Sequence, residues 1–125
     1  MSILVKTIQT AYRTIEGSDK LSKVATHRAI ISTTYSGDKY VTENTYKTKK
    51  GGDGVQTRKL LSNEKGWTIG PPKSVDYGTT LKDLEKSAGK GKPYSLLNLP
   101  GTSGNCETAE RRMMVRHSND RNALA

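Results

Sequence analysis

Two β-rich stretches facing each other across one short turn limit the fold of this chain more tightly than any other feature. From Val24 to Tyr35, His27, Ala29, Ile31, Thr33 and Tyr35 alternate with Arg28, Ile30, Ser32 and Thr34. That period of two marks a strand with two distinct faces. Ser36-Gly37-Asp38-Lys39 punctuates it, with Gly37 able to take a positive φ. Tyr40 to Thr48, rich in Thr, Tyr and Val, is the return strand. The register of this hairpin is open. With Gly37-Asp38 as a two-residue turn, Ile31 pairs with Asn44, and Thr42 and Asn44 share the face of His27. A turn one residue longer brings Glu43 onto that face instead.

Around the hairpin the pattern is mixed. Leu4, Ile8, Ala11, Tyr12 and Ile15 recur at spacings of three and four, which predicts an amphipathic helix over 3–15, with a strand as the alternative because of the many threonines. Glu16 to Leu21 reads as a turn and Lys49 to Gly54 as a charged loop. Val55 to Leu61 and Gly66 to Ile69 read as short strands about the turn Ser62 to Lys65, closed by Gly70-Pro71-Pro72. Thr79 or Thr80 caps a helix through Ala88, which Gly89 to Pro93 stops. Tyr94-Ser-Leu-Leu is a short ordered piece and Pro100 to Gly104 a loop. A last helix is predicted from Cys106 to about Arg116, with Ala109 and Met113 below Cys106 on its apolar stripe. The fold class is therefore α+β, a small antiparallel sheet packed against a C-terminal helix that carries the cysteine at its N-terminus. One domain spans 1–125, with 118–125 as a frayed tail.

Composition sets the energetic limits. Leu, Ile and Val number 22 of 125 residues and Phe is missing, beside a net charge of +9. Such values border on those of disordered chains, and the six tyrosines, the tryptophan and the periodicities argue for a folded domain with a thin core. The basic excess favours polyanions, including nucleic acid, but no aromatic-interleaved recognition motif accompanies it. The start of the chain has only three consecutive apolar residues, which predicts neither a signal peptide nor a membrane span. If the protein leaves its cell, other machinery or a larger parent chain is then expected to carry it. One cysteine excludes an intrachain disulfide.

That cysteine is the strongest chemical signal. Asn105 is a good N-cap, so Cys106 opens the helix, where amide donors and the dipole favour a thiolate. A nucleophilic thiol needs a base in hydrogen-bond reach and a third group to orient that base. His117 lies eleven residues further on, roughly 16 Å along a helix, and is excluded as the partner. His27, at the start of the strongest strand, is the candidate base, with Glu43 or Asn44 as the orienting group. The cysteine and two separated histidines have no metal-site spacing, and no phosphate-binding glycine loop is present, so no cofactor is expected.

The order of His27-Arg-Ala-Ile-Ile, Gly37-Asp38, Val41-Thr-Glu43, Tyr94-Ser-Leu-Leu and Asn105-Cys106-Glu-Thr-Ala resembles the circularly permuted papain-like fold of the lecithin–retinol acyltransferase-like proteins and related hydrolases. The resemblance implies His27 as base, Glu43 as orienting residue and Cys106 as nucleophile of a hydrolase or acyltransferase acting on an amide, ester or isopeptide bond. The hairpin is longer than the family's compact form, which keeps Asn44 open as the third residue. The same resemblance implies a bacterial toxin or effector module, with a cognate immunity protein as partner and a peptide, cell-wall or lipid substrate. The alternatives are a basic nuclease toxin acting on RNA or DNA, using His27 or His117 with a lysine or arginine, and a non-enzymatic basic binding module in which Cys106 is buried.

Overall fold

The computed structural model describes residues 3–14, 26–44, 54–62, 64–92 and 105–119. It is an α+β structure with one antiparallel sheet and two helices, the second of them C-terminal and opening on Cys106. Strands β1 (Val5–Thr14), β2 (Thr26–Thr34), β3 (Lys39–Asn44), β4 (Val55–Lys59), β5 (Thr68–Ile69) and β6 (Lys73–Ser74) precede helices α1 (Leu81–Ala88) and α2 (Cys106–His117). The sheet runs β4-β3-β2-β1-β5, and β6 also pairs with β1. The expected turn at 16–21, the phrase at 94–97 and the loop through 99–104 lie outside the described residues, as does most of the loop at 49–54.

The segment expected as a helix over 3–15 is instead the strand β1. Its apolar spacing has a different cause. A bulge shifts the register between Val5 and Thr7, so Val5 and Ile8 both face the helices although they are three residues apart. Ala11 then lies on the opposite face, where a second apolar cluster covers it. A bulged strand buried on both sides thus imitates helical periodicity. β5 and β6 pair with the outer edge of β1 in succession, at Ala11↔Ile69 and Ile8↔Lys73. Pro71 and Pro72 lie between them and cannot donate to a ladder, which explains why this edge is broken into two short strands.

On one face of the sheet, Val5, Ile8, Ile30 and Val55 pack against Leu81, Leu84 and Ala88 of α1 and Ala109, Met113 and Met114 of α2. Local chemistry sets both helices. Thr80 Oγ1 accepts from the Asp83 N–H while Asp83 Oδ2 accepts from the Thr80 N–H, a reciprocal capping box, and Gly89 ends α1 in the left-handed region. Asn105 Oδ1 accepts from the Thr108 N–H and caps α2. The opposite face carries Ala11, Ala29, Ile31 and Val41 beneath Leu60 and Trp67. Ser118 and Asn119 do not begin a frayed tail. Ser118 is buried and bridges Val75, and the Asn119 N–H donates to Ser74 O. Among the described residues no helix is long and apolar enough to cross a membrane.

Candidate active site

The hairpin between β2 and β3 closes through the three-residue loop Tyr35-Ser36-Gly37. The Thr34 N–H donates to Asp38 O, and the Gly37 N–H donates to Thr34 O. Gly37 has φ +94°, the left-handed conformation that such a loop needs at its third residue. The pairing that results is Thr33↔Lys39, Ile31↔Val41 and Ala29↔Glu43. His27 and Glu43 therefore share a face. Asn44 pairs with Val55 and shares its face beneath the helices, away from His27.

His27 Nε2 lies 2.6 Å from Glu43 Oε1, and the Cys106 thiol hydrogen-bonds to the same ring. Glu43 takes one ring nitrogen, which leaves Nδ1 for the sulfur. The sulfur also accepts the Arg28 N–H, one residue beyond the end of the β2–β3 ladder at Ala29↔Glu43. The helix start thus reaches the sheet where β2 has an amide to offer. Of the residues singled out in the sequence, Cys106, His27 and Glu43 meet, whereas Asn44 and His117 do not. His117 sits at the far end of α2 with Nε2 2.7 Å from Ser87 Oγ.

The electrostatics follow from this geometry. Burial pulls the His27 ring down, but its hydrogen bonds to Cys106 and Glu43 outweigh that and raise its pKa to about 9. Burial pushes the Cys106 thiol up, and the hydrogen bonds from His27 and from the Arg28 amide reverse the sign and hold it below the usual thiol range. Burial likewise pushes Glu43 up, and its bonded imidazolium brings it below the usual carboxylate value. All three shifts favour a thiolate–imidazolium pair backed by a carboxylate.

A second layer steadies Glu43, and sequence reasoning missed it. Gln56 Nε2 and Arg58 Nε approach Glu43 Oε2 at 3.3 and 3.4 Å. Arg58 forks onto Glu64 at 2.8 and 2.7 Å, and Trp67 Nε1 donates to Glu64 Oε2 at 2.7 Å. The Trp67 ring lies 6.1 Å from the His27 ring, with the Arg13 guanidinium 4.4 Å from its centroid. The alternation of Gln56 and Arg58 along β4 was the available signal, but its meaning depended on the pairing Glu43↔Gln56. Among the described residues no group of three or more His, Cys, Asp or Glu side chains is placed to hold a metal ion.

Compared with models of known families, with curated proteins and with solved structures, the chain finds no match in any of the three.

Proposed function

We propose that this protein is a thiol hydrolase or acyltransferase of permuted papain-like architecture, with Cys106 as nucleophile, His27 as acid and base, and Glu43 as the group that orients His27. The observation that carries the reading is the continuous contact from the Cys106 sulfur through the His27 ring to the Glu43 carboxylate at a helix N-terminus. Polar residues that merely face solvent have no reason to form such a half-buried relay.

In the reaction, the Cys106 thiolate attacks the carbonyl carbon of an amide, ester or isopeptide and forms a C–S bond. The carbonyl electron pair moves onto oxygen, where the positive end of the α2 dipole stabilises it. Collapse of this intermediate breaks the bond to the amine or alcohol, which takes its proton from the His27 imidazolium. A thioester remains. Neutral His27 then removes a proton from water or a second acceptor, whose attack releases the acyl group and returns the thiolate. The resemblance extends the proposal to a bacterial toxin or effector module with a cognate immunity protein, acting on a peptide, cell-wall or lipid substrate.

The test combines labelling with turnover. Iodoacetamide at neutral pH is expected to alkylate Cys106 faster in the folded protein than in the urea-unfolded chain, and His27→Ala is expected to remove the difference. With an ester or amide substrate, mass spectrometry should find an acyl adduct on Cys106. Cys106→Ala should abolish turnover, and His27→Ala should lower it by about 10²–10⁴-fold. Equal alkylation of folded and unfolded protein at neutral pH, or turnover that survives Cys106→Ala, sinks the reading.

A further inference from the structure

Behind Glu43, one cation stands between two carboxylates and favours the one further from the thiol. Arg58 gives Glu64 two short bonds, at 2.8 and 2.7 Å, whereas only its Nε approaches Glu43 Oε2, at 3.4 Å. The other Glu43 oxygen lies 2.6 Å from His27 Nε2. A full fork on Glu64 and a long contact with Glu43 amount to a division of charge.

Glu64 is firmly held for a residue in a short connection, the one between β4 and β5, and its side chain is only 10% exposed. Besides Arg58, it accepts from Trp67 Nε1 at 2.7 Å and from the Leu61 N–H at 3.3 Å, and Arg13 Nη1 stands 3.6 Å away. The bonds from Arg58, and then those from Trp67 and Leu61, hold its carboxyl at about 2, so it is an anion at any pH where the thiol ionises. Its partners border the histidine. The Trp67 ring lies 6.1 Å from the His27 ring, and Arg13 is the residue opposite His27 in the β1–β2 ladder. One carboxylate thus offsets both Arg58 and Arg13.

The sign of the effect on His27 follows from charge. Without Glu64, the Arg58 guanidinium either swings its fork onto Glu43 or acts on the imidazolium through space. In both cases the ring gives up its proton more readily. Without Arg58, the Glu43 and Glu64 carboxylates act on the ring together, and it keeps its proton to higher pH. The remaining charges close to the ring are Cys106 from α2, which hydrogen-bonds to it, and Arg28, which lies on the opposite face of β2 and has Glu110 of α2 at 3.5 Å.

We propose that Glu64 is a positioning residue of the thiol site, which holds the Arg58 guanidinium off Glu43 and so leaves that carboxylate to the His27 ring. Its role in turnover rests on the thiol-hydrolase reading, but the charge balance itself does not. Glu64 touches neither the thiol nor the ring. It acts through Arg58 on Glu43, and through Trp67 on the surroundings of the imidazole.

The experiment follows the His27 ring signals by NMR against pH in the whole chain carrying Cys106→Ala, where no thiol titrates beside the ring. Adding Glu64→Gln should lower the His27 titration by about 0.5–1 unit, and adding Arg58→Gln should raise it by a similar amount. The two together should return it close to its starting value. Both substitutions break the same ion pair and should lower the urea midpoint alike, so a merely structural role gives no opposed shifts. Glu64→Asp keeps the charge on a shorter stem and loosens the fork. It should lower the titration by less than Glu64→Gln, and it carries the test if the glutamine variant does not fold. A His27 titration that stays in place, or that moves the same way in the Glu64 and Arg58 variants, overturns the proposal. With Cys106 present, the alkaline limb of turnover should move in the same two directions. Opposed shifts alongside an unreactive thiol would remove the hydrolase reading and keep the charge balance. A selectively alkylated thiol with an unmoved His27 titration would do the reverse.

Discussion

Glu43 and Asn44 are neighbours in sequence with opposite fates. Glu43 reaches His27 and is held from behind by Gln56 and Arg58, whereas Asn44 is fully buried on the helix side of the sheet. Their substitutions should therefore separate cleanly. Glu43→Gln removes the carboxylate that helps keep the His27 imidazolium charged up to about pH 9. The His27 titration, followed by ring NMR signals, should move to lower pH, and the alkaline limb of turnover should move down with it. Asn44→Ala should lower stability while leaving the His27 titration where it is. An unmoved His27 titration in Glu43→Gln would mean that this carboxylate does not orient the base.

At the scale of elements, a three-residue loop decides which of those neighbours faces the histidine. Gly37 at φ +94° has open space around its Cα, so an added methyl would meet no neighbour. The cost of Gly37→Ala is purely conformational, about 1–2 kcal/mol for an L-residue in the left-handed region. Urea unfolding should show that loss with an unchanged slope. Cys106 should still alkylate rapidly in the folded protein, because the ladder from Thr33↔Lys39 to Ala29↔Glu43 holds the register once formed. A loss of thiol reactivity without unfolding would show that the loop conformation itself, and not the ladder, places Glu43. The α2 cap belongs to this scale as well. Asn105 fixes the first turn, and the first turn fixes where the sulfur meets the Arg28 amide.

For the whole molecule, the relay couples chemistry to stability. His27 binds its proton more tightly folded, at about 9, than at its ordinary 6.5, so its contribution is complete below 6.5 and is lost as pH rises through 9. Glu43 is shifted the other way from 4.5, so its contribution is present above 4.5 and is lost as pH falls through the lower folded value. Both operate together between about pH 4.5 and 6.5. Cys106 is shifted down from 9.0, so its contribution grows with pH over the range in which that of His27 is lost, and the two offset each other. In Cys106→Ala, where Glu43 still holds the imidazolium, the urea midpoint should decline from that window toward alkaline pH, and adding His27→Ala should flatten the decline. A midpoint that rises from pH 6.5 to 9 in Cys106→Ala would contradict the shifted histidine. In a domain with so few large apolar residues, this ionic contribution is a larger share of the total than it would be over a fuller core.

What the sequence determined by itself was whatever depends on residues a few positions apart. The Asn105 and Thr80 caps, the strands on either side of Gly37, and the distance that removes His117 from Cys106 all follow from local hydrogen bonds and fixed rise per residue. Tertiary structure decided everything that needed a partner distant in the chain. The bulge and two-sided burial turned an apparently helical segment into β1. The hairpin register chose Glu43 over Asn44. The pairing of β3 with β4 brought Arg58, Glu64 and Trp67 behind the site, and the seating of α2 on the sheet brought the Cys106 sulfur to His27 and the Arg28 amide. A side-chain period of two makes each strand's faces legible, but a shift of one residue between strands exchanges them, and only the assembled sheet specifies that shift.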